Sequence, residues 1–97
     1  MKFEWDENKN KQNIVKHRVS FDRARRVFDD PHFLTLIQRD IDDEERWVTI
    51  GIATGVVILY VVHTRAELDG DELIRIITAR KATPRERRAY EESIRNS

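Results

Sequence analysis

Two prolines bracket a stretch that has no helical period. Between Pro31 and Pro84 the apolar residues fall into strand-like runs at about 33–39, 46–54, 56–65 and 73–80. The connections are short: the acidic "DIDDEE" (40–45), a tight turn near Thr54-Gly55, and "ELDGD" (67–71). Parallel neighbours would need crossovers of about a dozen residues or more, so consecutive strands this close predict an antiparallel meander.

Helical signals lie on either side of that block. "KFEW" (2–5) is a short extended run, Asp6 is a candidate N-cap, and the polar stretch to His17 carries only Ile14 and Val15 as strong apolar residues. Ser20 offers a second N-cap. Phe21, Ala24, Val27 and Phe28 follow at three- and four-residue spacing, and Val19 is placed to staple onto Ala24. "DDP" (29–31) ends this helix, because a residue before proline is pushed out of the α region. Thr83 at the N-cap, Pro84 at N1 and Glu86 at N3 form a capping box that opens the last helix. The expected order is β-α-α-β-β-β-β-α, an α+β two-layer sandwich with helices on one sheet face.

A chain of 97 residues supports one core, so 1–97 is expected to be a single domain. Lys plus Arg and Asp plus Glu number 18 each, which removes the argument from a basic whole protein to nucleic acid. The charges nevertheless segregate, with acids in 40–45 and 67–72 and cations in 9–26 and 75–88. Absence of cysteine excludes disulfides and thiolate metal sites. "MKFEWDENKNKQ" has no apolar signal region, and "VVILYVV" (56–62) is too short to cross a bilayer as a helix. A soluble cytoplasmic protein without a membrane partner is the expectation.

Strand alternation puts Ile74, Ile76, Thr78 and Arg80 on one face of the last strand, and Leu73, Arg75, Ile77 and Ala79 on the other. Arginine is seldom buried unpaired, so Arg75 needs an acidic partner or an anion. Arg80 stands beside Lys81 and close to the helix start. Since Thr83 and Glu86 already use two of the helix-end donors, an anion is better placed among Arg80, Lys81, Arg87 and Tyr90. Tyr90 could equally pack against the sheet. His63 shares a strand face with Arg65, whose charge disfavours the imidazolium and leaves either a neutral base or a histidine without a role. Lys16 and His17 close the first helix, where they also complement its dipole. Gly-rich phosphate loops, metal-ligand spacings and nucleophile elbows are absent, so no metal and no cofactor are implied. An inventory of Arg, Lys, His and Tyr suits phosphodiester transfer in RNA, where the substrate supplies its own 2′-hydroxyl nucleophile.

With these residues in view, the chain resembles the BrnT toxins of type II toxin–antitoxin systems. The resemblance rests on "FEWDENKNKQNIVKH" (3–17), "VSFDRARRVFDDP" (19–31), "ERWVTIG" (45–51), "VVHT" (61–64) and "RIITARKATPRERRAY" (75–90), in that order. It implies a RelE-like fold, cleavage of messenger RNA, and translation inhibition. It also implies a BrnA-like ribbon-helix-helix antitoxin, a heterotetramer of two toxins and two antitoxins, and operator DNA bound only through the antitoxin. The matched positions are Trp5, Asp6, Lys9, Asn13, Lys16, His17, Arg46, Gly51, Arg80, Glu86, Arg87 and Tyr90. On this reading Lys16, His17, Arg46, His63 and Arg80 serve catalysis, while Lys9, Arg75, Lys81, Arg87 and Tyr90 hold RNA. Arg18 departs from the family, which usually has glycine after "KH". The competing expectation is a non-catalytic RNA- or protein-binding module using the same basic face.

Overall fold

A computed structural model describes residues 1–41 and 44–96; Asp42 and Asp43 of the acidic connection lie outside the described residues. Along the chain run β1 (Lys2–Glu4), α1 (Glu7–His17), α2 (Phe21–Ala24), a 3₁₀ helix (Arg25–Asp29), β2 (Leu34–Ile41), β3 (Glu44–Thr54), β4 (Val57–Leu68), β5 (Asp71–Lys81) and α3 (Pro84–Arg95). The second expected helix is therefore split, its last turns tightening to 3₁₀ before Pro31. Asp6, Ser20 and Thr83 all cap as their side chains predict, accepting from Lys9 N, Arg23 N and Glu86 N.

Among the described residues the strands form one sheet in the order β1-β5-β4-β3-β2. The expectation of an antiparallel sheet is corrected by β1, which pairs parallel with β5 from Lys2↔Leu73 to Glu4↔Arg75. Such a pairing needs a crossover, and the α1-to-β4 segment supplies it. Asp69 (φ 52°) and Gly70 (φ 80°) turn β4 into β5 as a two-residue Asp-Gly loop, matching the right-handed twist of the strands.

Helices on one face only is the second expectation the structure corrects. Val19, Phe21, Ala24 and Val27 pack with Leu59, Val61, Ile74, Ile76 and Ala79. Tyr90 of α3 packs with Val48, Ile50 and Val62 on the opposite face. Alternation along β4 serves both layers, and each fully buried Leu or Ile contributes about 1.5–3 kcal/mol. Gly51 allows the 3₁₀ helix to lie directly on β3: a Cβ there would stand 3.0 Å from the Val27 carbonyl oxygen. No helix among the described residues is long and apolar enough to cross a membrane.

Arg18 ends α1 in the left-handed conformation (φ 61°), its N–H donating to the Ile14 carbonyl. That geometry explains why a glycine suits this position, since a Cβ in the left-handed region costs about 1–2 kcal/mol. Arg18→Gly is accordingly expected to raise stability by about 1 kcal/mol, less the entropy glycine adds to the unfolded chain. Its urea midpoint against that of the wild type measures this.

Candidate functional site

A bulge decides where the arginines of β5 point. The pairing with β4 shifts between Val62 and His63, so Val62 faces Thr78 while His63 faces Ile76, and Ile77 is the extra residue. Ile74, Ile76 and Ala79 consequently share the α2 face, and Ile77 joins the α3 face. The strict alternation expected for this strand is corrected: Arg75 and Arg80 lie on the same face, not opposite ones. Arg46, alternating with Trp47 beside Val48 and Ile50, also stands on the α3 side of β3. Three arginines from two strands thus share one sheet face, at the rim of the area α3 covers.

Each has its own setting. Arg75 is exposed and pairs with Glu4 of β1 at 3.4 Å, which answers its need for an acid. Arg46 is half-buried. Arg80 is gripped on two sides, its Nη1 and Nη2 donating to the two carboxylate oxygens of Glu86 at 2.8 and 3.0 Å. Its guanidinium also lies 4.0 Å from the Tyr60 ring centroid. Glu86 Oε1 accepts the Thr83 N–H at 2.9 Å as well, so one carboxylate serves both the helix cap and the arginine. The Arg80 hydrogen bond outweighs partial burial and holds the Glu86 carboxyl below its ordinary range, and the same contact raises Arg80.

The anion seat expected among Arg80, Lys81, Arg87 and Tyr90 is therefore only partly assembled. Lys81 and Arg87 are exposed and line one depression with Val56, Val57, Ile58 and Ala82. Arg80 is matched by Glu86. Tyr90 is 2% exposed, and its hydroxyl donates to Asp30 Oδ2, so the side chain expected to contact RNA faces the core. Asp30 Oδ2 also accepts the Ile52 N–H at 2.9 Å, beyond the point where β2 pairs with β3, and Oδ1 accepts the His32 N–H at 2.9 Å. Burial alone would raise the Asp30 carboxyl; the bonds from Ile52, Tyr90 and His32 overcome this and lower it. Burial and the Asp30 carboxylate push the Tyr90 hydroxyl well above its ordinary value. Nothing in "DDP" beyond its helix-stopping chemistry could disclose this junction, because its partners lie 22 and 60 residues away.

Lys9 and Lys16 are exposed on α1, and His17 is half-buried at its end. The helix itself is anchored by Asn13, whose Nδ2 donates to the carbonyls of Val19 (2.9 Å) and Ala79 (2.8 Å) while Oδ1 accepts the Ala79 N–H (3.2 Å). β1 ends opposite Arg75, so this amide takes the place of a strand along the remaining edge of β5. Lys16 and His17 sit about one turn beyond Asn13, and Asn13 holds the residue preceding Arg80.

His63 belongs to the other face and is fully buried. Its Nδ1 must donate to the Thr64 carbonyl (3.1 Å), leaving Nε2 to accept from the Thr49 hydroxyl (2.7 Å), which in turn bonds Thr35 (2.9 Å). Phe28 meets the imidazole edge-on at 5.2 Å. The adjoining cavity, about 150 Å³ between Phe28, Phe33, Thr35, Arg65 and Glu72, is smaller than the about 300 Å³ at which ligand pockets begin. His63, expected beside the substrate, is thus buried on the sheet face opposite the three arginines. Burial, with Arg65 adding to it, lowers the imidazole below 6.5. The unfolded chain therefore binds more protons just below pH 6.5, and stability is expected to fall as pH drops through that window. Melting temperatures of the wild type and His63→Gln between pH 7.5 and 5 check this: the variant should show a flatter slope.

Among the described residues, no three His, Cys, Asp or Glu side chains are grouped to hold a metal ion. A family model described as the ribonuclease toxin BrnT of type II toxin–antitoxin systems matches residues 5–86. Among solved structures, the chain is similar to the 1.1 Å crystal structure of the Brucella abortus ribonuclease toxin BrnT, with a TM-score of 0.59 and 25% identity, covering 86% of this chain and 97% of that one. Comparison with curated proteins finds no match.

Proposed function

The chain belongs to the BrnT family of ribonuclease toxins of type II toxin–antitoxin systems, and from this premise we propose that it is a metal-independent endoribonuclease that cleaves messenger RNA and so inhibits translation. The observation that carries the reading to particular residues is the shared face of Arg46, Arg75 and Arg80. RNA laid across it meets guanidinium groups at spaced points, as a polyanion requires. In the reaction the substrate's 2′-oxygen bonds to the adjacent phosphorus as the bond to the 5′-oxygen breaks. One proton leaves the 2′-hydroxyl and another reaches the departing oxygen, leaving a 2′,3′-cyclic phosphate and a 5′-hydroxyl. Arg46 and Arg80 stabilise the extra negative charge, Lys9, Arg75, Lys81 and Arg87 hold flanking phosphates, and Lys16 and His17 move the protons. His63 and Tyr90 support the site from within the core.

On this reading residues 1–97 act as one RelE-like toxin domain in the cytoplasm. The partner is a BrnA-like ribbon-helix-helix antitoxin in a complex of two toxins and two antitoxins, with operator DNA contacted through the antitoxin.

Labelled RNA incubated with the purified protein in EDTA tests the activity. Cleavage products ending in 2′,3′-cyclic phosphate are expected, and Arg46→Ala should slow their appearance by about 10²-fold, the scale for one lost donor to a developing oxyanion. A shifted but intact RNA band would instead identify a binding module.

A further inference from the structure

We infer that Glu86 is an internal stand-in for the substrate phosphate: in the RNA-free protein its carboxylate holds the arginine that the phosphate takes over. The inference rests on the ribonuclease reading above. Carboxylate and phosphate present the same two-oxygen edge to a guanidinium, and Arg80 offers that fork to Glu86 at 2.8 and 3.0 Å. Glu86 is not the fork's only support, because the guanidinium also lies 4.0 Å from the Tyr60 ring centroid and Nη1 donates to the Lys81 carbonyl at 3.3 Å. The pair is also reachable, with about a third of the Arg80 side chain and a fifth of the Glu86 side chain open to solvent.

Two further features allow the exchange. Lys81 and Arg87 follow Arg80 and Glu86 directly in sequence, are exposed, and have no ion-pair partner among the described residues, so the neighbourhood attracts an anion although Arg80 itself is neutralised. When Glu86 releases Arg80, its Oε1 keeps the Thr83 N–H at 2.9 Å. The carboxylate therefore remains capped at the positive end of α3, and the helix start survives the swap. The capping box thereby holds the arginine in a binding geometry without leaving its charge open to any passing anion.

Glu86→Gln separates these roles, since glutamine at N3 still completes a capping box but no longer neutralises Arg80. Glu91→Gln is the control, removing the same charge from an exposed position on α3. Binding of a short labelled RNA, carrying a 2′-deoxy substitution at the cleavage position, is measured for the three proteins from 50 to 200 mM salt. The expected result is about 10-fold tighter binding by Glu86→Gln at low salt, with the log–log salt slope steeper by about 0.7 for one further uncompensated phosphate contact. Glu91→Gln should differ from wild type by less than about 2-fold. Equal behaviour of the two variants overturns the inference, as does weaker binding by Glu86→Gln. Unchanged affinity with lost cleavage also overturns it, assigning Glu86 to proton transfer instead. Wild-type protein that neither binds nor cleaves RNA brings down the ribonuclease reading and this inference together; cleavage by wild type with no Glu86 effect brings down the inference alone. Thermal melts of both variants confirm that α3 keeps its cap.

Discussion

Asn13→Ala is expected to lower the unfolding free energy by about 3–5 kcal/mol, the cost of leaving a buried N–H and two buried carbonyls without their partner at about 1–3 kcal/mol per group, somewhat less for carbonyls. The side chain is small and polar, so lost packing contributes little; the effect is the severing of α1 from β5 and from the turn at Val19. For a domain of this size, whose total stability is about 5–15 kcal/mol, that is a large share. Urea unfolding should show the loss as a lower midpoint, and hydrogen exchange at the Ala79 amide should accelerate well beyond that of Val61, the β4 residue paired with it. Asn13→Asp should be worse than alanine, because a carboxylate would face two carbonyl oxygens with nothing to donate. An Asn13→Ala midpoint within about 0.5 kcal/mol of wild type would show that the edge of β5 is satisfied without this amide.

The second large effect belongs to Asp30, where alanine should cost about 2–4 kcal/mol by orphaning the Tyr90 hydroxyl and the Ile52 N–H. Since the Tyr90 hydroxyl and Asp30 bond directly, Asp30→Ala and Tyr90→Phe should be strongly non-additive, the double variant scarcely less stable than Asp30→Ala. A pH signature accompanies it. The Asp30 carboxyl is lowered in the folded protein, so its contribution is present above pH 3.8 and disappears as pH falls through the folded value. The wild type should therefore lose stability in two stages on acidification, first below 6.5 through His63 and then below 3.8 through Asp30. In Asp30→Ala the second stage should shrink to what the lowered Glu86 and Asp71 carboxyls still contribute, while the first should remain.

Both predictions concern residues whose importance could not be read from their own neighbourhood. Asn13 appeared only as a position shared with a family, and Asp30 only as part of a helix stop. Elements governed by adjacent residues were legible: the three N-caps, the Thr83–Glu86 box and the strand block between the prolines formed where local chemistry put them, while the connection expected over 67–71 tightened to two residues as β4 and β5 ran further. The candidate site was legible as a set of residue types, cations at the end of β5 with a helix behind them. Its arrangement was not. Arg80 meeting Glu86 spans only six positions, yet the sequence offered the same glutamate as a cap and gave no sign that its second oxygen would be spent on the arginine.

What the sequence by itself determined, then, is where elements start and stop, because capping, turn geometry and alternation act over a few neighbouring residues. What tertiary structure decided is which side chains share a face and which are spent internally. A single bulged residue, Ile77, reverses the alternation and brings Arg75 and Arg80 together on the side of Arg46. Helices on both faces bury His63 in one layer and Tyr90 in the other, removing two candidates from the surface. The physical reason is range. A hydrogen bond between residues 60 or 66 positions apart exists only once the sheet has closed, and no local pattern along the chain encodes it.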